Sequence, residues 1–222
     1  MDSEKLLDLY HEHYRETFGL SKEAQKRRNR SFVILCILEA ISFMLIYNPD
    51  LICGFLNDTI KGKVEAAVFL SNTVLQTLVW IMIAYVLVRY VQDVMYVERQ
   101  YPYLDGLEKK ITQIMGKDSI FNREGDRYLK DYPIVLNLID LFYKMFCPIL
   151  FAGINIVHII HEWQNNKNLL SVIIDSLICF TIIIITWFYY FEIHTKTTEW
   201  CKKRIPVVKR ASDKLHEILK EV

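Results

Sequence analysis

With 222 residues, 52% hydrophobic, 24% charged and a net charge of only +1, the chain has no strong charge bias toward nucleic acid or an acidic partner. Four stretches almost free of charge, Ser31–Leu56, Ala66–Val88, Ile134–Ile160 and Leu169–Ile193, exclude a soluble globule. Each supplies the roughly 20 residues that a bilayer core of about 30 Å requires, and runs of this length cross lipid as helices.

The expected class is an all-α membrane protein with four transmembrane helices and helical cytoplasmic extensions. Its units are residues 1–30, an N-terminal amphipathic cytoplasmic helix; 31–92, a first transmembrane hairpin; 93–133, a cytoplasmic helical loop; 134–193, a second hairpin; and 194–222, a C-terminal cytoplasmic helix. Lys and Arg set the orientation. They crowd residues 1–30, 93–133 and 194–222, whereas the other two loops hold only Lys61, Lys63 and Lys167. The positive-inside rule places both termini and the central loop in the cytoplasm of a multi-pass inner-membrane protein.

In chain order, Leu7, Tyr10, Tyr14 and Phe18 share one helical face, and Gly19 follows as a C-cap. Ser21 then caps a helix that runs into span one, behind the basic cluster Lys26-Arg27-Arg28-Asn29-Arg30. That span has no cleavable-signal character and stays in the protein. Asn48-Pro49-Asp50 marks a turn in the first outer loop, residues 47–63. Span two continues as helix to Gln100, and Pro102 kinks or restarts it. Leu104, Leu107, Ile111 and Ile114 form a further apolar stripe that Gly116 stops. Pro133 suits the first turn of span three. Beyond span four, Val208, Ala211, Leu215, Ile218 and Val222 make a two-heptad seam. It serves either a coiled coil between subunits, with Leu215 and Ile218 as oligomerisation residues, or docking on the chain's own helices. The five cysteines are scattered, with no C-x-x-C pair, so neither a disulfide framework nor a cysteine zinc site is expected.

The densest chemistry lies in span three. Asn137, Asp140, Lys144, Asn155, His158 and Glu162 recur at spacings of three, four or multiples of these, so they share one narrow helical sector with Pro148 and Phe151. Charged groups at membrane depth face protein or water and mark functional sites. At about 1.5 Å per residue, Glu39, Asp140 and Lys144 fall in one layer roughly 9–15 Å from the cytoplasmic surface. Lys144 pairs with Asp140 four residues away, leaving Glu39 to share it or to face water. On span four, Asn168, Ser171, Asp175, Cys179 and Thr186 share a face, and span two adds Ser71, Asn72, Gln76 and Thr77.

Glu39, Asn137, Asp140, Lys144, Asn155, His158 and Asp175 are therefore the pore or polar-core candidates. They either glue helices together or line a hydrated path. Three carboxylates against one amine favour cations if a path exists. His158 and His161, three apart beside Glu162, have a spacing that permits a metal, but the chain's six histidines do not build the repeated boxes of membrane di-iron enzymes. G-x-x-x-x-G-K, H-E-x-x-H and G-x-S-x-G are absent, so no enzyme and no cofactor are expected.

Tyr96, Glu98, Arg99, Tyr101, Tyr103 and Glu108, followed by Arg123-Glu124-Gly125 and Tyr128, form an aromatic, Arg- and Glu-rich cytoplasmic cluster. Arg99, Tyr101, Tyr103 and Arg123 are candidates for contact with a cytoplasmic protein or a nucleotide or oligonucleotide trigger; internal packing is the alternative. A four-span chain with such a loop resembles the small membrane effectors of bacterial anti-phage systems. The resemblance implies depolarisation or permeabilisation of the membrane on a cytoplasmic cue, and assigns no residue. Two functions follow as expectations: an oligomeric channel or pore-type effector gated from the cytoplasm, or a membrane-anchored scaffold that recruits a cytoplasmic partner.

Overall fold

A computed structural model describes residues 3–61, 71–116, 147–165 and 168–193, together with positions 135, 138, 142 and 146. The described residues form five helices and no strand: α1 (Ser3–Tyr47), α2 (Pro49–Lys61), α3 (Asn72–Met115), α4 (Cys147–Asn165) and α5 (Leu169–Ile193). Three of these are long and apolar enough to cross a membrane: α1 from Lys5, α3, and α5 as far as Tyr190. The expected span Ile134–Ile160 is continuous in the described residues only from Cys147.

The N-terminal segment departs from the expectation of two helices. Gly19 does not cap; α1 runs unbroken through it for 45 residues, about 65 Å. The reason lies in the buried face. Thr17, Ser21, Ala24, Leu35, Leu38, Ser42 and Leu45 are all buried and follow helical spacing across the supposed break. A continuous seam outweighs the roughly 1 kcal/mol that a helical glycine costs. Pro102 does not restart α3 for the same reason. Val94, Val97, Leu104, Leu107 and Ile111 stay buried on both sides of it, and Pro102 itself is exposed, where the preceding turn can be hydrated.

Gly116 does stop α3. It adopts φ 64°, ψ 17°, and its N–H bonds to Thr112 O at 3.1 Å, the left-handed cap that glycine allows. At the other end Ser71 caps, its hydroxyl accepting from the Val74 N–H at 3.3 Å. After α1 the chain is more ordered, as far as Lys61, than its turn signal implied. Asn48 breaks α1, and Pro49 opens α2 at the first helical position. α2 then lays Ile52, Cys53 and Leu56 on the core.

Pairings fix the helix directions. Arg27 meets Asp93, Phe32 meets Tyr90 and Tyr14 meets Glu108, so α1 and α3 are antiparallel. Glu39 meets Asn155 and Ser42 meets His158, so α4 runs parallel to α1. Asn155 meets Cys179 and Trp163 meets Ser176, so α5 runs antiparallel to α4 and hence parallel to α3. In the apolar half, Trp80, Leu35, Leu45, Ile83 and Ile182 fill the centre. Large apolar side chains, among them Ile81, Val157, Leu177 and Trp187, point outward. An apolar exterior, with polar groups buried inside among the apolar ones, departs from the usual soluble arrangement and suits lipid. In the other half, among the described residues, α1 packs against α3. Tyr14 donates to buried Glu108 at 2.8 Å, Arg27 pairs with Asp93 at 3.1 Å, and Lys110 lies over the Tyr10 ring.

Candidate functional site: a buried polar column

α4 builds the site. Phe151, Asn155, His158 and Glu162 recur at four, three and four residues, so one face of the helix carries them all, and all are buried. The members of the span-three sector that are described thus turn into the bundle together. Asn137, Asp140 and Lys144 lie outside the described residues, as do Arg123, Leu215 and Ile218.

Each neighbouring helix meets this face with a polar group of its own. From α1, Glu39 Oε1 accepts from Asn155 Nδ2 at 2.7 Å, and the same amide donates to Phe151 O at 2.7 Å. Glu39, expected to share Lys144 or to face water, is 3% exposed and takes its hydrogen bond from an amide. One turn on, Ser42 Oγ hydrogen-bonds His158 Nδ1. From α3, Trp80 Nε1 donates to Glu162 Oε1 at 2.8 Å, and its indole stacks on the His158 ring at 5.0 Å between centroids. His158 Nε2 stands 3.1 Å from the same Glu162 oxygen, but its approach is not aligned for a hydrogen bond. From α5, Asp175 Oδ2 accepts from Thr77 Oγ1 at 3.1 Å and from Ser171 Oγ at 3.4 Å. Cys179 Sγ points at Asn155 O, 3.8 Å away.

The column is rich in acceptors. Glu39, Glu162 and Asp175 are buried in it, and no Lys or Arg is buried among the described residues. Among the described residues, five polar atoms of the column have no hydrogen-bond partner: Glu39 Oε2, Asn155 Oδ1, His158 Nε2, Glu162 Oε2 and Asp175 Oδ1. Orphans of this kind are costly in a low-dielectric interior and call for protons, water or a cation. At the α2 end a cavity of about 430 Å³ opens beside the column. Asn72, Gln76, His161, Glu162, Asn165 and Asn168 give it a polar lining. The buried Glu162 carboxyl therefore connects the column to this cavity. Among the described residues no group of three or more His, Cys, Asp or Glu is placed to hold a metal ion.

Of the sequence candidates, Glu39, Asn155, His158 and Asp175 come together in this column. Sequence reading passed over Trp80 and Ser42. A tryptophan in an apolar run reads as lipid-facing or core, and only the pairing of α3 with α4 reveals its donor role. Glu162, Thr77 and Ser171 were legible as members of polar faces. The second candidate cluster lies at the far end of the α1–α3 pair. Arg99, Tyr101 and Tyr103 are exposed, and the Tyr103 hydroxyl and His13 Nε2 are 2.6 Å apart. No family model, curated protein or solved structure matches this chain.

Proposed function

We propose that the chain is a four-span integral protein of the inner membrane, with both termini and residues 93–133 in the cytoplasm. It acts there as a channel or pore-type effector gated from its cytoplasmic side. The observation that carries this reading is the acceptor-rich column. Three buried carboxyls, no buried Lys or Arg among the described residues, five orphan polar atoms and a polar cavity at one end supply the field and the vacancies that a cation path needs. Gating belongs to the α1–α3 extension, where exposed Arg99, Tyr101 and Tyr103 offer a surface to a cytoplasmic protein, nucleotide or oligonucleotide. Homo-oligomerisation through Leu215 and Ile218 completes the proposal, and the resemblance to anti-phage effectors gives its setting.

One observation favours the scaffold reading instead. Each buried carboxyl already accepts at least one hydrogen bond from another helix of the same chain, as interhelical glue does. Reconstitution in liposomes separates the two. A channel gives ion flux that Glu39→Gln and Asp175→Asn reduce. A scaffold gives no flux under any cytoplasmic trigger, and its variants melt earlier.

A further inference from the structure

The lining of the cavity at the α2 end is of two kinds. α1 and α2 supply apolar side chains, Leu45, Ile46 and Pro49. α3 and α4 supply polar ones, among them Gln76, His161, Glu162 and Asn165. Glu162 is the one carboxyl in the lining, and among the described residues no Lys or Arg joins it. That carboxyl is 1% exposed. Its Oε1 accepts from Trp80 at 2.8 Å, whereas its Oε2 has no partner among the described residues. A buried carboxylate oxygen without a donor is costly, and a ligand that donates to it recovers that cost. Asn165 ties its Nδ2 back to His161 O at 3.0 Å, and its Oδ1 is the acceptor it can offer a ligand.

These features select among ligands. A carboxyl without a cationic side chain beside it disfavours an anion. His161 and Glu162 are the only metal-ligating residue types in the lining, fewer than a transition metal requires. A quaternary ammonium ion is held by aromatic faces, and no Phe, Tyr or Trp lines the cavity. Its volume of about 430 Å³ suits a small organic molecule and far exceeds what a bare alkali ion fills. A primary ammonium group carries three N–H donors, as a lysine head does. The Glu162 carboxylate and the amide oxygens of Gln76 and Asn165 supply acceptors for them. A short alkyl chain on the same molecule meets Leu45, Ile46 and Pro49, where burial of each methylene adds affinity. We infer that this cavity binds a small organic primary ammonium ion, with its head on Glu162 and its hydrocarbon against the α1 and α2 side chains. Binding does not depend on the channel reading, since a scaffold with this cavity would hold the same ligand.

The test is calorimetric titration of n-butylammonium chloride into the full chain, held in phosphatidylcholine nanodiscs at neutral pH. Binding should saturate at one probe molecule per chain. Butan-1-ol, of the same length but uncharged, should show no saturable binding. Across ethyl-, propyl- and butylammonium, affinity should rise about threefold to fourfold with each methylene. Glu162→Gln should weaken butylammonium binding at least about tenfold, because it removes the charge-assisted acceptor. Asn165→Leu, at an exposed position, should weaken it about threefold or more. Absence of saturable binding, equal binding of butan-1-ol, a flat alkyl series, or wild-type affinity in Glu162→Gln overturns the inference. Potassium chloride that displaces the probe at equal concentration assigns the site to an inorganic cation and also overturns it. Where Glu162→Gln fails to fold, the alcohol comparison and the alkyl series on the wild type decide. Ion flux in liposomes bears on the channel reading alone: its absence removes that reading and leaves the ammonium site standing.

Discussion

At the scale of single residues, Trp80 illustrates how much of the site depends on pairing. Its indole N–H is the one hydrogen-bond donor to Glu162 among the described residues, and its ring covers His158. Trp80→Phe keeps most of the ring and deletes the donor. Leaving a buried carboxylate oxygen without its partner costs about 1–3 kcal/mol. The variant should therefore melt measurably earlier in detergent, and Trp80→Phe combined with Glu162→Gln should recover part of the loss. Equal melting of wild type and Trp80→Phe would mean that the indole bond carries no stability. Asn155 gives a second case. It donates both to Glu39 and to the backbone of the preceding turn. Asn155→Leu strands Glu39 in an apolar interior and should lower stability more than Asn155→Asp, provided Glu39 or the new carboxyl is protonated. Melting curves at acidic and alkaline pH check this, because the Asp variant should gain on the acidic side, where the second proton is available. Of this column the sequence disclosed the polar faces, since three-and-four spacing shows in any helical wheel. It did not disclose which face meets which. That information lies in the offset between helices, set by loops and packing, and Trp80 and Ser42 carry no mark of it.

At the scale of elements, glycine separates the expected architecture from the observed one. If Gly19 ended a helix in a left-handed conformation, alanine there would strain the backbone. In the continuous α1, a Cβ at Gly19 meets nothing within 4 Å, and the same holds for Gly106 inside α3. Gly19→Ala and Gly106→Ala should each raise stability by about 0.5–1 kcal/mol. Gly116→Ala should do the reverse, since its φ of 64° disfavours any side chain despite the open space. Thermal denaturation followed by circular dichroism reads all three. A loss of stability for Gly19→Ala would restore the separate N-terminal helix. Helix existence and type were legible because apolar runs and stripes are long. Breaks were not, because glycine and proline carry only a local cost, whereas the buried seam of α1 and α3 is a summed gain on both sides. α2 escaped for the opposite reason. Thirteen residues with one apolar face look like a loop until a core is present to bury Ile52 and Leu56.

At the scale of the whole molecule, the helix directions and the charge distribution make one joint demand. α1 and α4 run one way, α3 and α5 the other, so the ends of the bundle are distinct. One end carries the α1–α3 extension with its Lys and Arg, and the other carries α2 and the polar cavity. Moving the basic end across a bilayer is disfavoured, so the proposed orientation has the cavity on the outer side. Cys53 in α2 tests the placement. It is half-buried, with its sulfur 4.0 Å from Asn72 Oδ1. A small membrane-impermeant thiol reagent added to intact cells should modify Cys53 and spare Cys201, which follows the last apolar run. Cys36, exposed on the apolar part of α1, should react only slowly, because a lipid-facing thiol is seldom ionised. Variants retaining one cysteine each make the readout unambiguous. Modification of Cys201 with protection of Cys53 would invert the proposed orientation and put the cavity on the cytoplasmic side. Modification of both from the same side would require an even number of spans between them and would remove one of the three proposed spans that separate them.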